Sequence, residues 1–147
     1  MYDSQYDFRV AVEDSALKLN ESLSSGPYPL AFSFGMPEDV TSKATGEMFA
    51  NDADCIIVEV EIDREYPNVS QHAFKVVEGA ISCYFCTKGT QPSRKYWRNA
   101  EQLARWFAHR TMDGAYFRGI TLGQEVRHRG FRVFPVEVPF EFRLKLY

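Results

Sequence analysis

The chain has 147 residues, of which 45% are hydrophobic and 15% aromatic, and a formal net charge of -3, which together predict one soluble domain spanning residues 1–147. No run approaches the ~20 apolar residues that cross a bilayer, and the charged first residues are unlike a signal peptide. We therefore expect no membrane association and a protein that is cytosolic or assembled in the cytosol. Three cysteines make no even-numbered disulfide framework, which favours a reducing compartment.

The charge is unevenly divided along the chain. Residues 1–73 hold 4 Lys and Arg against 14 Asp and Glu, whereas residues 74–147 hold 13 against 6, so the halves carry -10 and +7. An acidic face and a basic face would suit head-to-tail contacts between copies, or a basic surface near nucleic acid. The halves can equally interleave in the fold, in which case their charges intermix.

The first predicted element is an amphipathic helix. It begins at Ser4 or Asp7, either of which can cap, and ends near the Gly-Pro pair at 26–27. Its apolar positions at helical spacing are Phe8, Val12, Leu19 and Leu23. A short strand is predicted over 30–34, where apolar and small residues alternate.

Residues 35–54 are rich in Gly, Pro, Ser, Thr and Asp and predict a long loop. A loop of this length suits an arm that orders against a neighbouring subunit, with Met48 and Phe49 as its apolar anchors. The alternative is a short helix or strand packed on the same subunit.

Two strands are predicted next. Residues 55–63 alternate with a period of two, which gives one apolar face and one solvated face that carries Glu59 and Glu61. A second strand runs from His72 to Thr87, and Gly79 within it is a place where a bulge can form. We expect its apolar residues on both sides of Gly79 to share one face: Phe74, Val76, Ile81, Cys83 and Phe85.

A second helix and further strands complete the predicted order. Helical spacing links Tyr96, Ala100, Leu103, Phe107 and Thr111. Asn99 and Gln102 have the spacing of a capping box, and residues 116–122 predict a strand. The order predicts an α+β fold, a mostly antiparallel sheet flanked by one N-terminal helix and one helix before the last strand pair.

The last segment shows the most regular alternation. Its core-facing residues are Phe134, Val136, Val138, Phe140, Phe142, Leu144 and Leu146. Pro135 and Pro139 face the other way and lack amide donors on one edge of this strand. That edge therefore cannot be fully paired and is either an edge of the sheet or the wall of a channel.

No residue pattern indicates catalysis, a metal or a cofactor. Cys83 and Cys86 have the C-x-x-C spacing, but residues three apart on a strand point to opposite faces, so buried structural thiols are the better interpretation. The three histidines are scattered, and alternating Glu on a wet strand face is ordinary. Phosphate-binding glycine loops are absent from the sequence. We therefore expect a protein that is not an enzyme.

Two basic clusters interleave with aromatic residues. Such mixtures can follow a nucleic-acid backbone, but Arg, Tyr and Trp are also enriched at protein interfaces, which is the interpretation we favour. With the two anchors of the predicted arm, the candidate interface residues are Met48, Phe49, Arg94, Tyr96, Trp97, Arg98, Arg118, Arg127, Arg129 and Arg132.

The order of elements resembles phage tail terminator and tail-completion proteins. The resemblance rests on the N-terminal helix, the irregular loop, the long strands, and the closing segment that starts at Asp113-Gly114-Ala115-Tyr116-Phe117-Arg118-Gly119-Ile120 and continues from Arg132 to Leu146. It implies a virion protein of the tail and neck, assembled in the host cytoplasm. Such a subunit forms a hexameric ring, caps the tail tube, joins it to the neck, and lets DNA pass through its lumen.

Two other classes fit the composition. A small inhibitor or immunity-type protein would bind an enzyme or a nucleic-acid complex as a monomer or dimer. An enzyme would have to use the cysteines or the carboxylates of residues 59–63. Oligomeric state separates the first of these classes from a ring-forming subunit.

Overall fold

The computed structural model describes residues 1–23, 28–33, 54–67, 74–88, 94–109, 114–128 and 130–146. The predicted arm with Met48 and Phe49 lies outside these residues, except for Asp54, and so does Arg129.

The described residues form an α+β fold with two helices and seven strands. The elements are α1 (Gln5–Ser22), β1 (Leu30–Ser33), β2 (Cys55–Pro67), β3 (Phe74–Lys88), α2 (Arg94–His109), β4 (Ala115–Phe117), β5 (Thr121–Leu122), β6 (Val126–His128) and β7 (Phe131–Lys145). The predicted fold class, a mostly antiparallel sheet with one early helix and one helix before the last strands, is confirmed.

Strands from the acidic and basic halves of the chain occupy separate parts of the sheet. Its strand order is β1-β2-β3-β7-β4, and β5 and β6 also pair with β7. Only β1 and β2 run parallel among the described strand pairs. Because β1 and β2 come from the acidic half and β3 to β7 from the basic half, the halves do not interleave within the sheet.

α1 begins where the sequence predicts. The Ser4 hydroxyl accepts a hydrogen bond from the Asp7 backbone N–H at 3.1 Å, so Ser4 is the N-cap. Two backbone hydrogen bonds hold the residues before the helix against β7. The Tyr2 N–H donates to the Arg143 carbonyl, and the Lys145 N–H donates to the Tyr2 carbonyl. Tyr2 thereby pairs with the end of β7.

Both helices cover the same face of the sheet. Phe8 of α1 stacks on Phe142 with a ring-centroid distance of 4.1 Å, and Leu103 and Phe107 of α2 are fully buried in the same core. The strand residues of this core are Ile56, Val58, Val60, Val77, Ile81, Cys83, Phe85, Ala115, Val136, Val138, Phe140, Phe142 and Leu144. We call the opposite side of the sheet the outer face.

The outer face is not solvated along its whole length. Cys55, Ile57, Cys86 and Phe131 form a second buried cluster there. The prediction of a solvated face for β2 therefore holds for the carboxylates that follow and is wrong at the start of the strand.

The predicted face of β3 was wrong before Gly79. Val77 lies in the core with Ile81, whereas Phe74 lies under the Arg143 guanidinium on the outer face, 4.9 Å from ring centroid to Arg143 Cζ. A strict period of two puts even-numbered Phe74 and odd-numbered Ile81 on opposite faces. β3 pairs with β7 without any register shift, so nothing corrects that alternation.

Gly79 lies beside the predicted bulge. The register of β2 against β3 shifts between Ile62 and Arg64, which leaves Asp63 as the extra residue opposite Gly79 and its neighbour. A Cβ atom on Gly79 would lie 1.9 Å from the Glu61 carbonyl oxygen and 2.8 Å from the Phe140 ring. The two strands can approach this closely only because residue 79 has no side chain.

The predicted strand at 116–122 is broken into β4 and β5 by the prolines of β7. Between the pairs Phe117–Phe140 and Thr121–Glu137, three residues (118–120) face two (138–139). The same one-residue excess recurs between β5 and β6, opposite Pro135. The proline carbonyls still accept hydrogen bonds, from Arg118 N–H to Pro139 and from Gly123 N–H to Pro135, each at 2.9 Å. The missing proline donors thus interrupt the ladder as predicted.

Two smaller predictions were wrong. Leu146 lies beyond the end of β7 and is 43% exposed, so it does not face the core. Asn99 is not a cap: it lies inside α2, is 3% exposed, and its amide donates to the Tyr28 hydroxyl at 3.1 Å.

Candidate functional site

The most exposed apolar part of the sheet is the edge formed by β4, β5 and β6, which we call the broken edge (residues 115–128). Every residue from Thr121 to Arg127 is exposed. Three large side chains stand out along it: Tyr116 is 56% exposed, Leu122 45% and Val126 55%. An exposed sheet edge with apolar side chains is a surface on which another chain can pair, and proteins commonly cover or charge such edges.

The arginines predicted for an interface on this segment have different environments. Arg127 is exposed on β6. Arg118 is exposed as well and lies 3.4 Å from a Glu141 carboxylate oxygen. Arg132 is only 15% exposed and forms an ion pair with Glu125, which fixes it beside the edge. Arg127, and Arg118 beside Glu141, are thus the exposed arginines of the broken edge.

The second predicted cluster belongs to α2. Arg94, Tyr96 and Trp97 lie in its first turn, and their side chains are outside the described part of the structure. Arg98 is exposed and lines a shallow depression of about 300 Å³ together with Glu101, Gln102 and Arg105. The predicted residues therefore divide between two different elements, the helix α2 and the broken edge.

The middle of the outer face is acidic. Glu59 and Glu137 lie on either side of Ser82 in register across three strands, and Glu61 follows on β2. Partial burial, and then the charge of Glu61, raise the pKa of the Glu59 carboxyl above its usual value. Among the described residues, no group of three His, Cys, Asp or Glu side chains is placed to hold a metal ion.

Beyond Glu61, the outer face carries a hydrogen-bonded cluster of Arg64, Tyr66 and Glu78. Glu78 accepts from Arg64 at 2.6 Å and from the Tyr66 hydroxyl at 2.8 Å. The hydrogen bond from Arg64, followed by that from Tyr66, lowers the pKa of the Glu78 carboxyl. These groups neutralise each other, which leaves Glu59, Glu61 and Glu137 as the acidic centre of the outer face.

Cys83 and Cys86 lie on opposite faces of the sheet, as predicted, and Cys86 pairs with Cys55, which the sequence did not reveal. Cys83 is buried among the core residues beneath the helices, and burial raises the pKa of its thiol to about 12. Cys86 lies on the outer face, directly opposite Cys55 on β2. The C-x-x-C spacing is therefore not a chelating site, and the neighbour of Cys86 comes from a different strand.

The part of the chain that the structure describes contains no helix with the length and hydropathy needed to span a membrane.

Comparison with known proteins supports the fold and leaves the function open. No family model matches the chain, and no curated protein matches it. Solved structures do match: one, of a protein whose name states no function, aligns with 98% of this chain and 97% of its own at a TM-score of 0.60. The two sequences share 15% identity, so the likeness is one of fold alone.

Proposed function

We propose that this chain is a structural subunit that assembles into a ring and serves as a tail terminator or head–tail connector of a phage virion. It would cap the tail tube and join it to the neck. The observation that carries the proposal is the broken edge, where apolar side chains and two arginines stand exposed on strands whose far side pairs with no described residue.

The broken edge has the composition of an interface. Tyr116, Leu122 and Val126 are each about half exposed, and water is a poor environment for such side chains. Arg118 and Arg127 flank them, and Tyr and Arg are enriched where proteins bind one another. A partner that covers this edge would bury the apolar groups and pair the backbone groups of β5 and β6 that no described strand pairs.

A second copy of the chain suits that edge. The other end of the sheet is β1, which belongs to the acidic half of the chain and pairs with no other described strand on its far side. A contact between the broken edge of one copy and β1 of the next would join two different edges of the sheet. Heterologous contacts of this kind close into rings when the rotation between copies permits.

The acidic outer face has a place in such a ring. Glu59, Glu61 and Glu137 stand on a sheet face that the described helices do not cover. Carboxylates repel the phosphate backbone, so a lumen lined by this face would let DNA pass without holding it.

The test is the solution mass of the purified protein by light scattering, over a range of concentrations at low and moderate salt, with electron microscopy of the largest species. Ring-shaped particles that grow in number with concentration would support the proposal. A monomer or closed dimer under all conditions would instead favour the inhibitor class, because the same exposed edge can bind a different protein.

A further inference from the structure

We propose that Cys55 and Cys86 form a redox-active pair that closes a disulfide between β2 and β3 when the protein meets hydrogen peroxide. This inference is independent of the assembly proposed above, since it concerns two buried thiols inside one subunit.

The strand register brings the two residues together. Cys55 and Cys86 are direct partners in the antiparallel pairing of β2 with β3. The Ile56 N–H donates to the Pro29 carbonyl at 2.9 Å and so points away from β3. Its neighbour Cys55 therefore points its backbone groups towards β3, which makes the Cys55–Cys86 pair hydrogen-bonded, with Cα atoms about 5.5 Å apart. Disulfides form at Cα separations of roughly 4.4–6.8 Å.

The side chains also lie on the same side of the sheet. Both belong to the small buried cluster of the outer face, with 1% of Cys55 and none of Cys86 exposed. Directly opposite residues of a hydrogen-bonded pair have Cβ atoms about 5.5 Å apart, and a disulfide needs about 3.5–4.5 Å, so β2 and β3 must close by roughly 1 Å at this pair for the sulfurs to join. Two thiols confined in this way meet each other before they meet a thiol of another molecule.

The Cys86 thiol donates a weak hydrogen bond to the Tyr84 carbonyl, with 3.9 Å between sulfur and oxygen. The neighbouring Cys86 side chain lowers the pKa of the Cys55 thiol, although burial opposes the shift. The neighbouring Cys55 side chain, and then burial, raise the pKa of the Cys86 thiol. Cys55 is thus the thiol that more readily loses its proton, and the thiolate is the form that attacks an oxidant.

Cys55 and Cys86 are both buried, so a small oxidant reaches them only when the strand ends open. Cys55 is the first residue of β2, and Cys86 lies two residues before the end of β3 at Lys88. Strand ends open locally more often than strand centres. Cys83 lies further from the end of β3 and faces the core beneath the helices, so opening of the strand end exposes it less.

The chemistry balances with one peroxide. The Cys55 thiolate attacks one peroxide oxygen, the O–O bond breaks, and hydroxide leaves and takes up a proton to give water, so that Cys55 becomes a sulfenic acid. The Cys86 sulfur then attacks the Cys55 sulfur, the S–O bond breaks, and the oxygen leaves as a second water once protonated. Two thiols and one peroxide give one disulfide and two waters, and the two electrons pass from the sulfurs to the peroxide.

The disulfide would tie β2 to β3 covalently. It would enclose the connection between the two strands, and closing a loop of that kind restricts the unfolded chain. The oxidised protein should therefore unfold at a melting temperature several degrees higher than that of the reduced protein, and dithiothreitol should restore the lower value.

The experiment follows the thiols by mass. The folded protein is treated with hydrogen peroxide, the peroxide is removed, and free thiols are alkylated with N-ethylmaleimide after denaturation. One added maleimide, together with a peptide pair that links residues 55 and 86, is the expected result. Three added maleimides after peroxide, or a disulfide that includes Cys83, would overturn the proposal.

Matched variants separate pairing from general oxidation. Cys83→Ala should still close the disulfide, whereas Cys55→Ala and Cys86→Ala should each leave one thiol without its partner and abolish it. Circular dichroism and a cooperative melt establish that each variant is folded before it is treated. An unchanged yield of disulfide in Cys55→Ala would contradict the assignment even if every variant folds.

Discussion

The Asn20 side chain binds both backbone polar groups of Tyr28. Its Nδ2 donates to the Tyr28 carbonyl at 2.8 Å, and its Oδ1 accepts from the Tyr28 N–H at 3.1 Å. The Tyr28 hydroxyl in turn accepts from Asn99 in α2. Tyr28, between α1 and β1, thus joins the end of the first helix to the middle of the second. Both asparagines in this link are almost fully buried.

Asn20→Ala should destabilise the fold by about 1–3 kcal/mol, because it removes both hydrogen bonds from a site that water reaches poorly. Chemical denaturation monitored by circular dichroism measures the loss. Glu21→Gln, on the neighbouring exposed position of α1, is the control and should change stability by less than about 0.5 kcal/mol. Equal stability of Asn20→Ala and Glu21→Gln would show that the link carries no stability.

Gly79→Ala should destabilise the protein by about 1–3 kcal/mol or more, because the new methyl group would meet the Glu61 carbonyl oxygen and force β2 away from β3. Gly119→Ala is the matched control, since a Cβ there has no neighbour within 4 Å. Both variants gain the same methyl group, so the difference between their unfolding midpoints isolates the close approach. A loss of stability confined to Gly119→Ala would contradict the account.

The sequence predicted those elements whose pattern is local. β7 alternates from Phe134 onwards because one face of it packs under two helices, and the start of α1 could be read from its cap and its apolar spacing. The break between β4 and β5 could not be predicted from residues 116–122, because its cause lies in Pro139 on the partner strand. Pro135 and Pro139 did predict that one edge of β7 would lack amide donors and could not be fully paired.

The candidate site was only partly accessible to sequence reasoning. Arg118 and Arg127 were chosen for their type, and the structure places them on one edge with apolar side chains that the sequence did not single out, Leu122 and Val126. The Cys55–Cys86 pair was missed because two residues far apart in sequence become neighbours only through strand register. The nearby Cys83 drew attention through its spacing instead.

Glu59→Gln should stabilise the protein at pH 7, because partial burial and the charge of Glu61 disfavour the ionised Glu59 in the folded state. A carboxyl whose folded pKa is raised costs stability above that pKa, and the cost disappears as the pH falls below the ordinary value of about 4.5. The gain in Glu59→Gln should therefore shrink to nothing in acid. Urea titrations from pH 7 to pH 4 measure it, with Glu21→Gln as the control. A gain that grows in acid would contradict the assignment.

The double variant Leu122→Ser and Val126→Ser should weaken self-association by about tenfold or more, because it removes an exposed apolar side chain from each face of the broken edge. Leu17→Ser is the control for the loss of an exposed leucine, since Leu17 is 43% exposed against 45% for Leu122 but belongs to α1 and not to the sheet. Sedimentation velocity over a concentration series gives both affinities. Equal weakening by the two changes would indicate a general loss of hydrophobic surface and not an interface at the edge.

Reversing an exposed arginine charge on the broken edge should weaken self-association by an amount that depends on the salt concentration. Arg127→Glu should weaken association most at low salt and least at high salt, because exposed charges are screened within about 10 Å at 0.1 M. Glu125→Arg is unsuitable as a control, because Glu125 forms an ion pair with Arg132. Lys18→Glu reverses an exposed positive charge on α1 and should leave association as it is.

The most direct test of the proposed assembly is amide hydrogen exchange at two protein concentrations, one below and one above the onset of association. The account predicts that amides of residues 121–127 exchange more slowly in the assembled protein, together with those of β1 on the opposite edge of the sheet. Slower exchange confined to other parts of the surface, or a monomer at every concentration, would contradict it.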